Sequence, residues 1–162
     1  MNKYLYLLIA MLAFGTTSAS AQNYIAAIGL RTGFGIGVTG KLFIDESTAL
    51  EAMAEVRNRG FGLTGMYEIH HDILGIDGMQ GFYGGGAHLG FTQGTESSNT
   101  SFNEQTAFIL GVDGIAGIEY TIPSIPINLS LDFKPSFNFL GTKAVPFFIP
   151  GGAVSFRYII SQ

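Results

Sequence analysis

From Ile127 to Phe139 the chain changes character at every residue. Ile127, Leu129, Leu131, Phe133, Pro135, Phe137 and Phe139 alternate with Asn128, Ser130, Asp132, Lys134, Ser136 and Asn138. Successive side chains of a strand point to opposite faces, so a period of two predicts a long strand with one apolar and one polar face. Other segments repeat the pattern, and their polar members include Glu, Asp, Lys and Arg. The smaller, charged set suits an interior crossed by ion pairs. The larger, aromatic-rich set suits lipid.

The first residues read as an export signal. Lys3 supplies a positive start, Tyr4 to Phe14 an apolar core too short to span a bilayer as a helix, and Ala19-Ser20-Ala21 a small-residue cleavage site. Residues 1–21 are therefore expected to be a signal peptide, with residues 22–162 as one barrel domain starting at Gln22. The absence of Cys excludes a disulfide scaffold, a thiolate metal site and a lipoprotein anchor. The net charge of −4 argues against a nucleic-acid partner. No apolar run after the signal is long enough for a transmembrane helix. A closed barrel is the other backbone arrangement that satisfies every N–H and C=O in lipid.

Eight strands are expected, over about Tyr24–Thr32, Ile36–Ile44, Ala49–Arg57, Phe61–His70, Gln80–Phe91, Gln105–Ile122, Ile127–Leu140 and Pro146–Ile160. Most reach the roughly 9–11 residues a tilted membrane strand needs. The fold class predicted is all-β, an eight-stranded antiparallel transmembrane barrel of up-and-down topology. Thr92 to Glu104 is the longest polar connection and is read as an external loop. Pro123–Pro126 and Asp45–Thr48 are read as periplasmic turns. The stretch Asp72–Met79 carries aliphatic residues that a polar turn does not call for. Aromatics near strand ends, from Tyr24 and Phe61 through Phe91, Phe108 and Tyr120 to Phe156 and Tyr158, are read as interfacial girdles.

The export signal, the glycine-rich strand Gly81-Phe82-Tyr83-Gly84-Gly85-Gly86-Ala87-His88-Leu89-Gly90-Phe91 and the closing Gly151-Gly152-Ala153-Val154-Ser155-Phe156-Arg157-Tyr158 together resemble the small OmpA/OmpX-like outer-membrane barrels, the barrel domain of the porin family. The resemblance implies residence in the cell outer membrane, contact with its lipid and lipopolysaccharide, and insertion by the barrel-assembly machinery. The chain departs from the family's common aromatic C-terminus, ending Ile159-Ile160-Ser161-Gln162.

Alternation places Arg31, Lys41, Glu51, Glu55, Arg57, Glu68, His70, His88, Asp113, Glu119, Asp132, Lys134 and Arg157 inward. Register across the short turns groups Lys41, Glu51 and Glu68 on three adjacent strands. It sets Asp132 near Glu119, with Lys134 between that level and Asp113, and Arg157 near the start of the seventh strand. The expected site is this lumen network of Lys41, Glu51, Glu68, Asp113, Glu119, Asp132, Lys134 and Arg157. It is expected to plug the barrel, as in a structural or surface-interaction protein. The alternatives are a narrow pore for ions or small solutes, a lipid-acting enzyme, and a soluble periplasmic lipid binder with an apolar cavity.

Other motifs carry less. Gly35-Ile36-Gly37-Val38-Thr39-Gly40 matches a dinucleotide fingerprint, but a strand follows it where the motif needs a helix. His70 and His71 point to opposite faces, and His88 falls opposite Thr64, too far along the wall to share a metal with His70. No cofactor, metal site or catalytic constellation is expected. The identity of any surface-loop partner is not written in the sequence.

Overall fold

The computed structural model describes residues 24–57, 60–98, 101–140 and 147–161; the expected signal peptide and its cleavage site lie outside them. Ten strands form: β1 (Ala26–Gly33), β2 (Ile36–Phe43), β3 (Thr48–Arg57), β4 (Gly60–Asp72), β5 (Met79–Ser98), β6 (Ser101–Ile122), β7 (Ile127–Phe133), β8 (Ser136–Leu140), β9 (Phe148–Ile149) and β10 (Gly152–Ser161). Each pairs antiparallel with its neighbours. β10 pairs with β1, as at Arg31↔Ser155 and Ile28↔Tyr158, and this closes the sheet on itself. The described residues contain no helix.

Ten segments make eight barrel strands because two strands are interrupted at proline. The seventh is β7 continued by β8. Pro135 has no N–H to give to a ladder, so regular pairing breaks at Lys134–Pro135. The neighbouring groups still find partners: the Lys134 N–H donates to Gly151 O at 2.6 Å, and Pro135 O accepts from Gly114 N–H at 2.9 Å. The eighth is β9 continued by β10 across Pro150-Gly151. The uninterrupted Ile127–Leu140 strand expected from alternation is corrected accordingly.

Alternation sorts the faces as the pattern demands. On β7, Asn128, Ser130 and Asp132 are buried while Leu129, Leu131 and Phe133 face out. The outer wall carries Ile28, Val38, Leu50, Leu63, Leu89, Ile118, Val154 and Phe156, all exposed. The barrel is thus polar inside and apolar outside, the reverse of a soluble barrel that encloses an apolar cavity.

Three features depart from expectation. Tyr24 is not an outward girdle residue; it is buried and points into the lumen. The segment Thr92–Glu104 is not an open loop. β5 and β6 stay paired to Ser98↔Ser101, whereas β4 leaves β5 at Gly60↔Thr92 and β8 leaves β6 at Leu110↔Leu140. Beyond those points, among the described residues, β5 and β6 pair only with each other, as a two-stranded ribbon. β4 runs on to Asp72, so the aliphatic turn is short. Within that turn Leu74 and Gly75 take φ of 62° and 61°, and Gly78 takes 83°. Leu74 is 79% exposed.

Candidate functional site

The inward side chains form two polar layers. Nearer the end where Tyr24 and Ser161 lie, Lys41 on β2 is the hub. Its ammonium lies 2.8 Å from Glu68 Oε2, 2.9 Å from Glu119 Oε2 and 3.4 Å from Glu51 Oε2. The Phe82 ring approaches the same ammonium, with its centroid 4.3 Å away. Arg157 on β10 bonds Glu51 through Nη2, and its Nη1 donates to Ser130 Oγ at 2.9 Å and Asn128 Oδ1 at 3.1 Å. The Thr39 hydroxyl also donates to Glu51, and Tyr24 Oη donates to Glu119 at 3.2 Å. His70 stands between carboxylates, with Nε2 3.3 Å from Glu68 and Nδ1 3.8 Å from Glu119. Its ring is flanked by Phe43 and Phe82.

The second layer sits toward the opposite end. Arg31 on β1 holds the Asp132 carboxylate through two bonds of 2.6 Å and lies 3.4 Å from Glu55 through Nε. Lys134 lies 3.7 Å from both Glu55 and Asp113 and 3.5 Å from Thr64 Oγ1. Asp113 also receives the Ser136 hydroxyl and faces His88 Nδ1 at 2.8 Å. Each layer has two basic side chains, three carboxylates and one histidine: Lys41, Arg157, Glu51, Glu68, Glu119 and His70 in the first, and Arg31, Lys134, Glu55, Asp113, Asp132 and His88 in the second. Between them along their strands come Met53, Met66 and Ile115, which cluster with Phe82 as apolar filling. An eight-stranded barrel is just wide enough for side chains to fill.

The structure brings together Lys41, Glu51 and Glu68, and puts Lys134 beside Asp113. It also keeps Arg157 at the start of the seventh strand, opposite Asn128, but separates Asp132 from Glu119. Glu119 belongs with Lys41, not with Asp132. Asp132 belongs with Arg31, and Arg157 joins Glu51 although its backbone partner is Asn128. Arg57 stands apart from both layers, half-buried, with its guanidinium carbon 5.9 Å from the Phe34 ring centroid. Arg31, Glu55, His70 and His88 belong in the network and were legible as inward residues. Tyr24, Thr39, Asn128 and Ser130 supply hydrogen bonds that only the folded lumen reveals.

Ser136 and His88 both contact Asp113, but not as a nucleophile–base–acid relay. In such a relay the hydroxyl faces the imidazole and the carboxylate backs it. Here Ser136 donates to Asp113, and His88 Nε2 faces Asn138 Oδ1 at 2.9 Å. The imidazole has no contact with the hydroxyl it would need to activate.

Comparison with solved structures gives two close matches in shape. The N-terminal β-barrel domain of Pseudomonas aeruginosa OprF aligns over 82% of this chain and 96% of its own, with 14% identity and a TM-score of 0.56. Neisserial surface protein A (NspA) aligns over 82% of this chain and 92% of its own, with 11% identity and a TM-score of 0.57. The fold is that of the small outer-membrane β-barrels. At these identities the likeness concerns architecture: a closed eight-stranded antiparallel wall. No protein-family model matches the chain, and no curated protein matches it significantly.

Proposed function

We propose that the chain is an integral outer-membrane barrel of structural or surface-interaction type, non-enzymatic, with a lumen closed by its own ion pairs. The observation that carries this reading is the Lys41 hub. One ammonium engages carboxylates from β3, β4 and β6, and so ties three stretches of wall across the bore. The apolar outer wall supports contact with membrane lipid and lipopolysaccharide. Charged residues on a lipid-facing barrel surface cost about 2–4 kcal/mol at mid-depth for Arg or Lys, and here the charged side chains turn inward. The export-signal pattern and the shared architecture with outer-membrane barrels support the same location and insertion by the barrel-assembly machinery. The self-paired β5–β6 ribbon is the natural place for a surface partner.

Planar-bilayer conductance of the refolded chain, with Glu51→Gln alongside, tests the reading. Inserted, folded and electrically silent protein is the expected result. A second reading, a narrow pore, draws on polar capacity within the lumen: Glu68 Oε1, His70 Nδ1 and Arg157 Nε have no hydrogen-bond partner among protein groups. Discrete steps in the wild type that change with Glu51→Gln would replace the closed lumen with that pore.

A further inference from the structure

The second polar layer is not filled like the first. A cup of about 250 Å³ opens beside it, with Glu55, Arg57, Thr64, His88, Lys134 and Ser136 on its polar side and apolar side chains such as Phe61 and Leu89 on the other. One glycine bares its wall. Gly62 is paired across the sheet with inward Glu55 and with Gly90, so its missing side chain would point into the lumen. A Cβ built at Gly62 meets only Leu89 O, at 3.9 Å, an ordinary contact. The fold therefore has room for a side chain there and carries none.

The cations around the cup are loosely held. Lys134 is buried, with 7% of its surface exposed, and an ammonium has three N–H donors. Its nearest acceptors stand at 3.5, 3.7 and 3.7 Å, beyond the usual range of about 2.7–3.2 Å. Among the described residues, Arg57 engages the face of Phe34. Glu55, one of the two carboxylates near Lys134, has a second cation to turn to. It already lies 3.4 Å from Arg31 Nε, and that Nε makes no hydrogen bond. A small shift would give Glu55 wholly to Arg31 and release the Lys134 ammonium.

We propose that this cup is a binding site for a small oxyanion, a carboxylate or phosphate. Lys134 is its main ligand, Arg57 is a second cation at its edge, and Glu55 is a displaceable internal stand-in for the anion. The carboxylate of Glu55 has the same chemistry as the ligand, so binding is an exchange of one charge-assisted contact for a shorter one. Gly62 leaves volume that the ligand fills. The inference is independent of whether the barrel conducts.

The test titrates inorganic phosphate, and separately succinate, into the full chain in a phosphate-free detergent at low ionic strength. The readouts are phosphorus NMR line broadening and the shift in unfolding temperature. Saturable binding is expected. Lys134→Gln should weaken it by about tenfold or more, the scale of one charge-assisted hydrogen bond. Gly62→Leu should abolish it by filling the cup, and Glu55→Gln should tighten it by removing the competitor. If Lys134→Gln does not fold, Arg57→Gln and Gly62→Leu decide. No saturable binding, or binding indifferent to Gly62→Leu, overturns the proposal. So does stabilisation by phosphatidylglycerol micelles with none by free phosphate, which would assign the effect to a lipid headgroup on the outer wall.

Discussion

Arg31 and Asp132 are 101 residues apart in sequence, yet the guanidinium grips the carboxylate through two bonds of 2.6 Å. They do not sit on paired strands. Arg31 is opposite Ser155, Asp132 is opposite Ala153, and β10 runs between them. Two nearly parallel bonds make this the most geometrically defined pair in the lumen. Arg31→Met leaves Asp132 buried without its partner and should cost about 3–5 kcal/mol of stability. Arg31→Met with Asp132→Leu should recover most of that loss, because neither charge then remains. Urea unfolding of the three proteins in one detergent checks the cycle.

Tyr24 precedes the first strand and donates its hydroxyl to Glu119 at 3.2 Å, with its ring edge-on to Phe43. Tyr24→Phe keeps the ring contact and removes the donor. A loss of about 1.5–3 kcal/mol is expected, the scale of a hydrogen bond to a charged group. Tyr24→Leu, which also loses the aromatic contact, should cost more. Heat-modified mobility on gels ranks the variants, and an unfolding midpoint indifferent to Tyr24→Phe would show the bond to be unimportant.

Leu74 carries a bulky side chain at φ 62°, a region few residues other than glycine occupy cheaply. Leu74→Gly removes backbone strain of about 1–2 kcal/mol and loses little burial, since the side chain is exposed. The extra freedom of glycine when unfolded offsets part of the gain, so a net stabilisation of up to about 1 kcal/mol is expected. Leu74→Val should be worse than the parent, because branching at Cβ aggravates the same clash. Chemical denaturation measures both.

Asp45 caps the β2–β3 turn by accepting the Ser47 N–H at 2.9 Å. That backbone hydrogen bond is the main cause holding its carboxyl below the usual carboxylate range. A depressed folded value means the carboxylate supports the turn above the unfolded value, near 3.9, and that support fades as pH falls through the lower folded value. Amide exchange at Ser47 should therefore accelerate at acid pH beyond the intrinsic rate. Asp45→Asn should remove this pH dependence. An identical acid profile in the variant would place the effect elsewhere.

Leu131 faces outward on β7 between inward Ser130 and Asp132. If the wall meets lipid, Leu131→Arg should destabilise the vesicle-inserted barrel by about 2–4 kcal/mol. In a soluble barrel the same exposed change would be close to neutral. Equilibrium refolding into lipid vesicles reads the difference.

Much of this wall was legible because one rule generates it. A period of two fixes which side of the strand each residue takes, and a short turn fixes which residue faces it next door. Lys41 opposite Glu51, His88 opposite Thr64 and Asp132 opposite Gly117 all follow from counting away from a turn. Counting fails across the bore. Glu119 reaches Lys41, and Arg157 reaches Glu51, through open lumen, where direction and side-chain length decide the partner. Pattern also could not tell a polar ribbon from a polar loop: Thr92–Glu104 has the composition of a loop and the backbone pairing of a hairpin. Nor could it see that Tyr24, beyond the end of β1, turns inward toward a carboxylate.

The lumen contacts join early parts of the chain to late ones. Tyr24 meets Glu119 across 95 residues, Lys41 meets Glu119 across 78, and Glu51 meets Arg157 across 106. While the seam between β1 and β10 is open, Glu51 lacks its guanidinium and Arg31 lacks the neighbouring Ser155. A nearly finished barrel is thus a much poorer object than a finished one, because the last strand to arrive neutralises charges that the first strands have already turned inward. A copy whose ends have not met leaves buried charge without its partner, at a cost of about 3–5 kcal/mol for a broken pair, and closure removes that cost.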